Sequence, residues 1–350
     1  MESNLNQRQI YILEVLGEKL SVSIAELRAA VTDVSQKTLV RDLNFLQEQG
    51  LVKREGQAKA TSYSLLPLYR LTKVIDKQTY FDIELDLRKI QQRFEHSIFN
   101  DLQESSEKIF TQSESKHIDE LTKKYQLSKS ELSQGLIKKE FERLTIELAW
   151  KSSKIEGNTY SLLDTEALLK TGILNPNHSQ EEAQMLLNHK QVLDYLLENS
   201  STYKKLSLSN LIDLHNLVID KLAIDQNIRK KLVGITGTSY RPLENEFQIK
   251  EALEKTCVLI NQEGTVIAKA LYSSVLFPYI QAFEDGNRRT ARMATNAILM
   301  AYDYCPLSYR SIDIQDYKKS ILLFYEQNNL RYLKELVIEQ YEFAVNNYFC

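Results

Sequence analysis

Ten glycines and five prolines are spread over 350 residues. A sheet-rich chain needs many more of these residues to supply positive-φ turns and strand ends. Leu, Glu, Lys, Gln and Ile dominate instead, and they favour helices. A mainly α protein is expected, long enough for two or three domains around at least one sizeable core. The formal net charge of −3 gives no global field toward nucleic acid or an acidic membrane, so such binding would need a local patch. Cys257, Cys305 and Cys350 are odd in number and widely spaced. They fit neither a disulfide framework nor a zinc site and read as reduced thiols. No apolar run is long enough to span a bilayer, and the opening MESNLNQRQI lacks a secretory pattern. The expectation is a cytoplasmic protein without a membrane partner.

The first segment reads as three short helices and a hairpin. Ile10, Leu13, Leu16 and Leu20 recur at helical spacing. Ser23-Ile24-Ala25-Glu26 has the form of a capping box. Ser35 offers an N-cap to a third helix that turns Leu39, Leu43 and Leu46 inward and Lys37, Thr38 and Arg41 outward, with Gly50 closing it. Residues 51–54 and 61–65 look like strands around Glu55-Gly56-Gln57. This order resembles a winged helix-turn-helix domain. The resemblance implies a third helix in the DNA major groove and a wing on the phosphates. Lys37, Arg41, Lys53, Arg54 and Lys59 stand where such contacts would be made, though acids accompany them. A module used for dimerisation, giving a homodimer, or as a spacer is the competing reading. From Tyr69 to Gln134 no glycine or proline intervenes, which suggests long connecting helices with a break near Ser113-Glu114-Ser115.

The chemistry lies further on, in Phe277-Pro278-Tyr279-Ile280-Gln281-Ala282-Phe283-Glu284-Asp285-Gly286-Asn287-Arg288-Arg289-Thr290-Ala291-Arg292. Gly286 permits a tight turn, and the helical stretch after it would aim free N–H groups at an anion. Arg289 and Arg292, spaced i, i+3, share a helical face and can fork onto phosphate oxygens. Asp285 is placed to hold Mg²⁺, which takes a carboxylate or two plus substrate phosphates. Taken singly, each residue would read as a helix-start turn or a solvated charge.

Together they resemble the signature of the Fic family, His-x-Phe-x-Asp/Glu-Gly-Asn-x-Arg-x-x-Arg, matching at Phe283, Asp285, Gly286, Asn287, Arg289 and Arg292. The resemblance implies an all-α core that binds ATP with Mg²⁺ and transfers AMP to a Ser, Thr or Tyr hydroxyl of a target protein. It makes Asp285 the metal ligand, Gly286 and Asn287 the phosphate nest, and Arg289 and Arg292 the clamps. Arg288 adds a side chain near the phosphates whose effect has no expected sign. Gln281 stands where the family has its histidine base. An amide cannot take the hydroxyl proton, so about 10²–10⁴-fold of general-base assistance should be missing. None of His96, His117, His178, His189 and His215 lies in the motif. The glutamine is either a natural loss or a silencing substitution, and the intact remainder of the motif favours the second.

Two further segments resemble the family. Ser152-Ser153-Lys154-Ile155-Glu156-Gly157-Asn158 matches its inhibitory motif at Ser152, Glu156, Gly157 and Asn158. That match implies that Glu156 pairs with Arg292 in the same chain and misaligns the γ-phosphate. Gly234-Ile235-Thr236-Gly237-Thr238, inside Val233–Pro242, reads as a small hairpin and resembles the flap that pairs with a target segment. His189 reads as a packed helix residue. The expected organisation is a winged helix-turn-helix domain over 1–68, a helical linker over 69–136 and a Fic domain over 137–350, with its inhibitory helix at about 137–158. The expected function is a protein adenylyltransferase autoinhibited by Glu156 and impaired at Gln281. The alternative is an ATP-sensing pseudoenzyme that regulates through DNA binding by the winged helix.

Overall fold

A computed structural model describes residues 5–17, 19, 21–32, 34–57 and 60–349. Leu20, Lys59 and Cys350 lie outside the described residues. The first unit comprises α1 (Gln7–Gly17), β1 (Val22–Ser23), α2 (Ile24–Ala30), α3 (Gln36–Glu48), β2 (Val52–Glu55) and β3 (Ser62–Leu65). The strands form an antiparallel sheet in the order β1-β3-β2. β1 is too short to leave a periodic signature and was not expected. Ser23 and Glu26 close the expected capping box, and Ser35 Oγ accepts from the Thr38 N–H at the start of α3. Ile12, Leu13, Leu16, Leu39, Leu43 and Leu46 share a core with Val52 and Tyr63. Ile10, expected inside, is exposed, and Ile12 takes its place.

The larger unit continues with α4 (Pro67–Thr72), α5 (Lys77–Asp82), α6 (Ile98–Ser105), α7 (Gln112–Glu131), α8 (Gln134–Ile155), α9 (Leu162–Thr171) and α10 (Gln180–Asn199). After these come α11 (Leu208–Val218), α12 (Glu246–Gln262), α13 (Val266–Ile280), α14 (Asn287–Ala301), α15 (Ile314–Gln327) and α16 (Arg331–Asn347). The stretch expected as long linking helices is instead a series of short ones up to residue 108, and it is part of the core. Leu71, Phe94, Ile98, Leu102 and Ile118 pack in one cluster with residues of α11 to α16. Tyr69 and Leu71, on the single helix α4, join the small and the large core respectively. The break falls before Thr111, whose capping box with Glu114 makes Ser113-Glu114-Ser115 the first turn of α7.

α13 and α14 form the centre and pack most extensively on each other. Nearly every residue of both is buried: α13 is apolar on nearly all faces, whereas α14 also buries the polar Asn287, Arg289, Arg292 and Asn296. α8 crosses α10 and contacts α14, with Ile146, Ala149, Tyr160, Leu168 and Leu186 as a satellite core. That packing aims the C-terminal end of α8 at the N-terminal end of α14. The segment around the expected flap differs from expectation. Val233–Pro242 contains a turn at Thr236 and Gly237 but no paired strand. Gly237 at φ 89° makes the turn. The stem bonds outward instead, with the Arg241 N–H donating 2.8 Å to Gln92 O in a parallel bridge to Arg93.

Candidate active site

α13 ends at Gln281, whose backbone is left-handed at φ 51°, ψ 59°. For a residue with a Cβ this costs roughly 1–2 kcal/mol, and such strain persists only where neighbours fix it. The Gln281 N–H reaches Phe277 O at 3.3 Å, and its side-chain amide donates to Pro278 O at 2.7 Å. Arg229 donates from Nε to Gln281 O at 2.5 Å, while its own N–H reaches Ala282 O at 3.0 Å. The loop beyond is held by Asn287, whose side chain accepts from Phe283 N at 2.9 Å and donates to Phe283 O at 2.8 Å. Asn287 Nδ2 also lies 3.2 Å from Gln281 Oε1. Gly286 then turns the chain at φ 81°. A Cβ there would meet Ile219 Cγ2 at 3.0 Å and His215 Cε1 at 3.2 Å, so both conformation and space demand glycine.

No side chain caps α14, which leaves its first turn to attract an anion. Arg289 and Arg292 are 2 % and 1 % exposed. Arg289 Nη2 is 3.0 Å from Asp285 Oδ2, whereas its Nη1 is buried with no partner among the described residues. A buried donor left open beside a cleft can serve an acceptor that enters the cleft. Asp285 also accepts from the Gly286 N–H at 2.6 Å, and its side chain is largely exposed.

Glu156 enters from the end of α8 as the residue just after it, with Gly157 at φ 101° turning the chain away. Its Oε1 lies 2.8 Å from Arg292 Nη2 and its Oε2 lies 2.8 Å from Arg288 Nη2. Burial opposes ionisation of this carboxyl, but Arg292 and Arg288 outweigh it and hold the pKa below the usual range. Arg288, unsigned from the sequence, is therefore a second anchor of Glu156. Arg292 Nε also donates to Ser152 Oγ at 2.8 Å and its Nη2 to Ser152 O at 3.0 Å. Ser152 Oγ is in turn 2.8 Å from His189 Nε2, while His189 Nδ1 faces Met185 O. Burial pushes the His189 pKa down to about 3, so the ring is a neutral acceptor. Asn158 donates to Glu182 O at 2.9 Å, tying the turn after Glu156 to α10.

These elements bound a cleft of about 200 Å³ lined by Glu156, Val233–Thr236, Gln281 and Glu284–Arg289. The sequence candidates Gln281, Asp285, Gly286, Asn287, Arg288, Arg289, Glu156, Gly234, Ile235 and Thr236 thus meet at one place. Gly157, Ser152 and Asn158 support it from behind, and Arg292 is reached through Glu156. Gly237 and Thr238 lie beyond the lining. Lys37, Arg41, Lys53 and Arg54 are on the first unit; Lys37, Arg41 and Arg54 are exposed and Lys53 pairs with Glu55 at 2.9 Å. Two residues were missed. His215 stacks on Phe283 at 3.6 Å and bonds Thr290 Oγ1 at 3.1 Å. Burial pushes its pKa down to about 4, but it does not line the cleft. Arg229 sits in a Lys/Arg run that reads as solvated charge, so only the fold shows it buried.

The Fic/DOC family model matches residues 205–299, which include the loop after α13, and a DeoR-like helix-turn-helix domain model matches residues 8–60. The chain is 26 % identical over 159 residues to the protein adenylyltransferase fic-1 of Caenorhabditis elegans, covering 44 % of this chain and 31 % of that protein. It is 29 % identical over 174 residues to the protein adenylyltransferase Fic of Nematostella vectensis, covering 48 % of this chain and 40 % of that one. The chain therefore spans less than half the length of these relatives. The solved structure of Fic-1 from C. elegans aligns with TM-score 0.58 at 20 % identity, covering 67 % of this chain and 72 % of that one. A Fic-domain signaling protein from Bacteroides thetaiotaomicron aligns with TM-score 0.54 at 20 % identity, covering 66 % and 96 %. The loop geometry, these matches and the shared helical fold show that the chain carries a Fic/DOC domain and, at its amino-terminal end, a DeoR-like helix-turn-helix domain.

Proposed function

We propose that the cleft is the ATP site of a protein adenylyltransferase, held shut by Glu156 and lacking its base because position 281 is glutamine. The observation that carries this reading is the arrangement at α14: an uncapped helix start, a buried Arg289 with an open donor, and a glutamate that neutralises Arg288 and Arg292. A polyphosphate satisfies all of these groups through charge-assisted hydrogen bonds. The acceptor oxygen would attack the α-phosphorus, the bond to the β-phosphate would break, and pyrophosphate would leave. Asp285 would be the carboxylate that holds a Mg²⁺ bound with the nucleotide, and the ion would neutralise charge on the leaving group. Glu156 acts against this by occupying two guanidinium groups and facing the γ-phosphate with a negative charge.

Calorimetric titration of ATP·Mg²⁺ tests the pocket without requiring turnover. Binding should be measurable in the Glu156→Gly chain and should weaken about 10- to 100-fold with Arg289→Ala, the loss of a buried charge-assisted contact of roughly 1.5–3 kcal/mol. Equal affinity with and without Arg289 would remove the phosphate assignment.

The DeoR-like match favours a second role alongside the first, operator binding by the first unit. α3 presents exposed Lys37 and Arg41, and β2 presents Arg54 at the wing. Retardation of duplex DNA that weakens with salt, and less steeply after Arg41→Ala, is the expected result. Binding unaffected by salt or by that change would assign the unit to protein contacts.

A further inference from the structure

Arg229 is 2 % exposed, and none of its described partners is a carboxylate. Its guanidinium donates from Nε to Gln281 O at 2.5 Å and from Nη1 to Lys231 O at 2.8 Å, and Nη2 donates to Leu243 O. Its own N–H reaches Ala282 O at 3.0 Å. Burial pushes its pKa down from the ordinary arginine value, yet a planar fork of this kind stays charged. A buried cation solvated only by main-chain carbonyls is an expensive way to fill space, so the geometry it enforces is where its role lies.

Three separate pieces of backbone converge on this one group. Gln281 O belongs to the left-handed residue that ends α13, a conformation that persists only where neighbours over-determine it. Lys231 and Leu243 are the two ends of the segment that carries Val233–Thr236, one wall of the cleft. Tyr240, inside that segment, donates from its hydroxyl to Tyr279 O at 2.9 Å, so the same segment is pinned again to the last turn of α13. We infer that Arg229 is a positioning residue: it fixes the backbone of residue 281 and the base of the 231–243 segment as one rigid unit, so that an acceptor hydroxyl docked on that segment meets the side chain at 281 at a set distance. A lysine keeps the charge but has a single point of donation, and cannot span three carbonyls in one plane. The inference rests on the ATP reading of the cleft for its consequence in catalysis, and on geometry alone for the rigid unit.

The test uses the full chain carrying Gln281→His and Glu156→Gly, with Mg·ATP as the probe and pyrophosphate release as the readout, the AMP passing to a hydroxyl of the chain itself or to water. Adding Arg229→Lys should lower kcat by at least tenfold while KM for ATP stays within about threefold, because the phosphate groups on α14 are untouched; a misplaced reacting group has that signature. Hydrogen exchange should accelerate at the amides of 231–243 and 282, and stay unchanged in α16. An unchanged kcat with unchanged exchange overturns the inference. So does a KM that rises as far as kcat falls, which would make Arg229 a general support of the pocket. If the parent chain binds ATP but releases no pyrophosphate, the adenylyltransferase reading fails and the nucleotide-sensor reading stands. Exchange in the wild-type background then decides the inference alone: acceleration in 231–243 upholds the rigid unit, and no change sinks it.

Discussion

Replacing Gln281 with histidine should raise AMP transfer from ATP by about 10²–10⁴-fold, the usual value of a positioned general base. The attacking hydroxyl must lose its proton as the bond to the α-phosphorus forms. A carboxamide can accept a hydrogen bond there but cannot carry the proton away. The backbone at 281 is already fixed by Arg229 and by the end of α13, so a new side chain would inherit a defined position at the cleft. Its neutral imidazole is the active form, and an unperturbed histidine has a pKa of about 6.5. The regained rate should therefore fall as pH drops below that value, in a profile absent from the glutamine form. Transfer of label from α-labelled ATP, measured in the Glu156→Gly background, provides the readout. If label transfer stays flat although ATP binds, the chain is a nucleotide sensor, and the DNA-binding reading of the first unit gains.

The sequence exposed the site more fully than the fold around it, for a physical reason. Gly286, Asn287, Arg289 and Arg292 act through local geometry: a positive-φ turn, a helix start and an i, i+3 pair. All of these are written in adjacent residues. Glu156 meets Arg292 across 136 positions, and only the resemblance to a motif joined them. Arg288 could not be given a sign because its partner is the same distant glutamate. Arg229 was invisible for a related reason, since its ligands are main-chain carbonyls and carry no residue identity at all. The stretch 69–110 read as long helices because it lacks glycine, proline and other breakers. The structure breaks that stretch into short elements packed on the core and starts the long helix α7 only at the Thr111 cap, and tertiary packing overrides propensity in this way. The hairpin expected at Val233–Pro242 is absent because its backbone groups bond outward rather than across the turn. Within it Gly237 O accepts from Arg88 and the Arg241 N–H donates to Gln92 O, while Arg229 holds the flanking Lys231 O and Leu243 O.

Glu156→Gly should open the cleft and weaken the fold in the same step. Arg292 is buried, and its guanidinium sits between the Glu156 carboxylate, both oxygens of Ser152 and the Tyr317 hydroxyl at 3.4 Å. Removing the carboxylate leaves that cation with neutral acceptors only, and breaking a buried pair costs about 3–5 kcal/mol. The Ser152 contacts put this case toward the lower end. A lower midpoint in thermal unfolding is therefore expected, together with tighter ATP·Mg²⁺ binding and, with histidine at 281, faster pyrophosphate release. ATP should restore much of the lost stability, because its phosphates replace the missing anion. Acid should act in the same sense as the substitution. The Glu156 carboxyl is held below its usual value, so its stabilisation is complete above the unfolded carboxylate pKa of about 4.3 and is lost as pH falls through the lower folded value. The two chains should then converge in stability at low pH and diverge near neutrality. A Glu156→Gly chain as stable as its parent at pH 7, or one that ATP fails to stabilise, would contradict the role assigned to the Glu156–Arg292 pair.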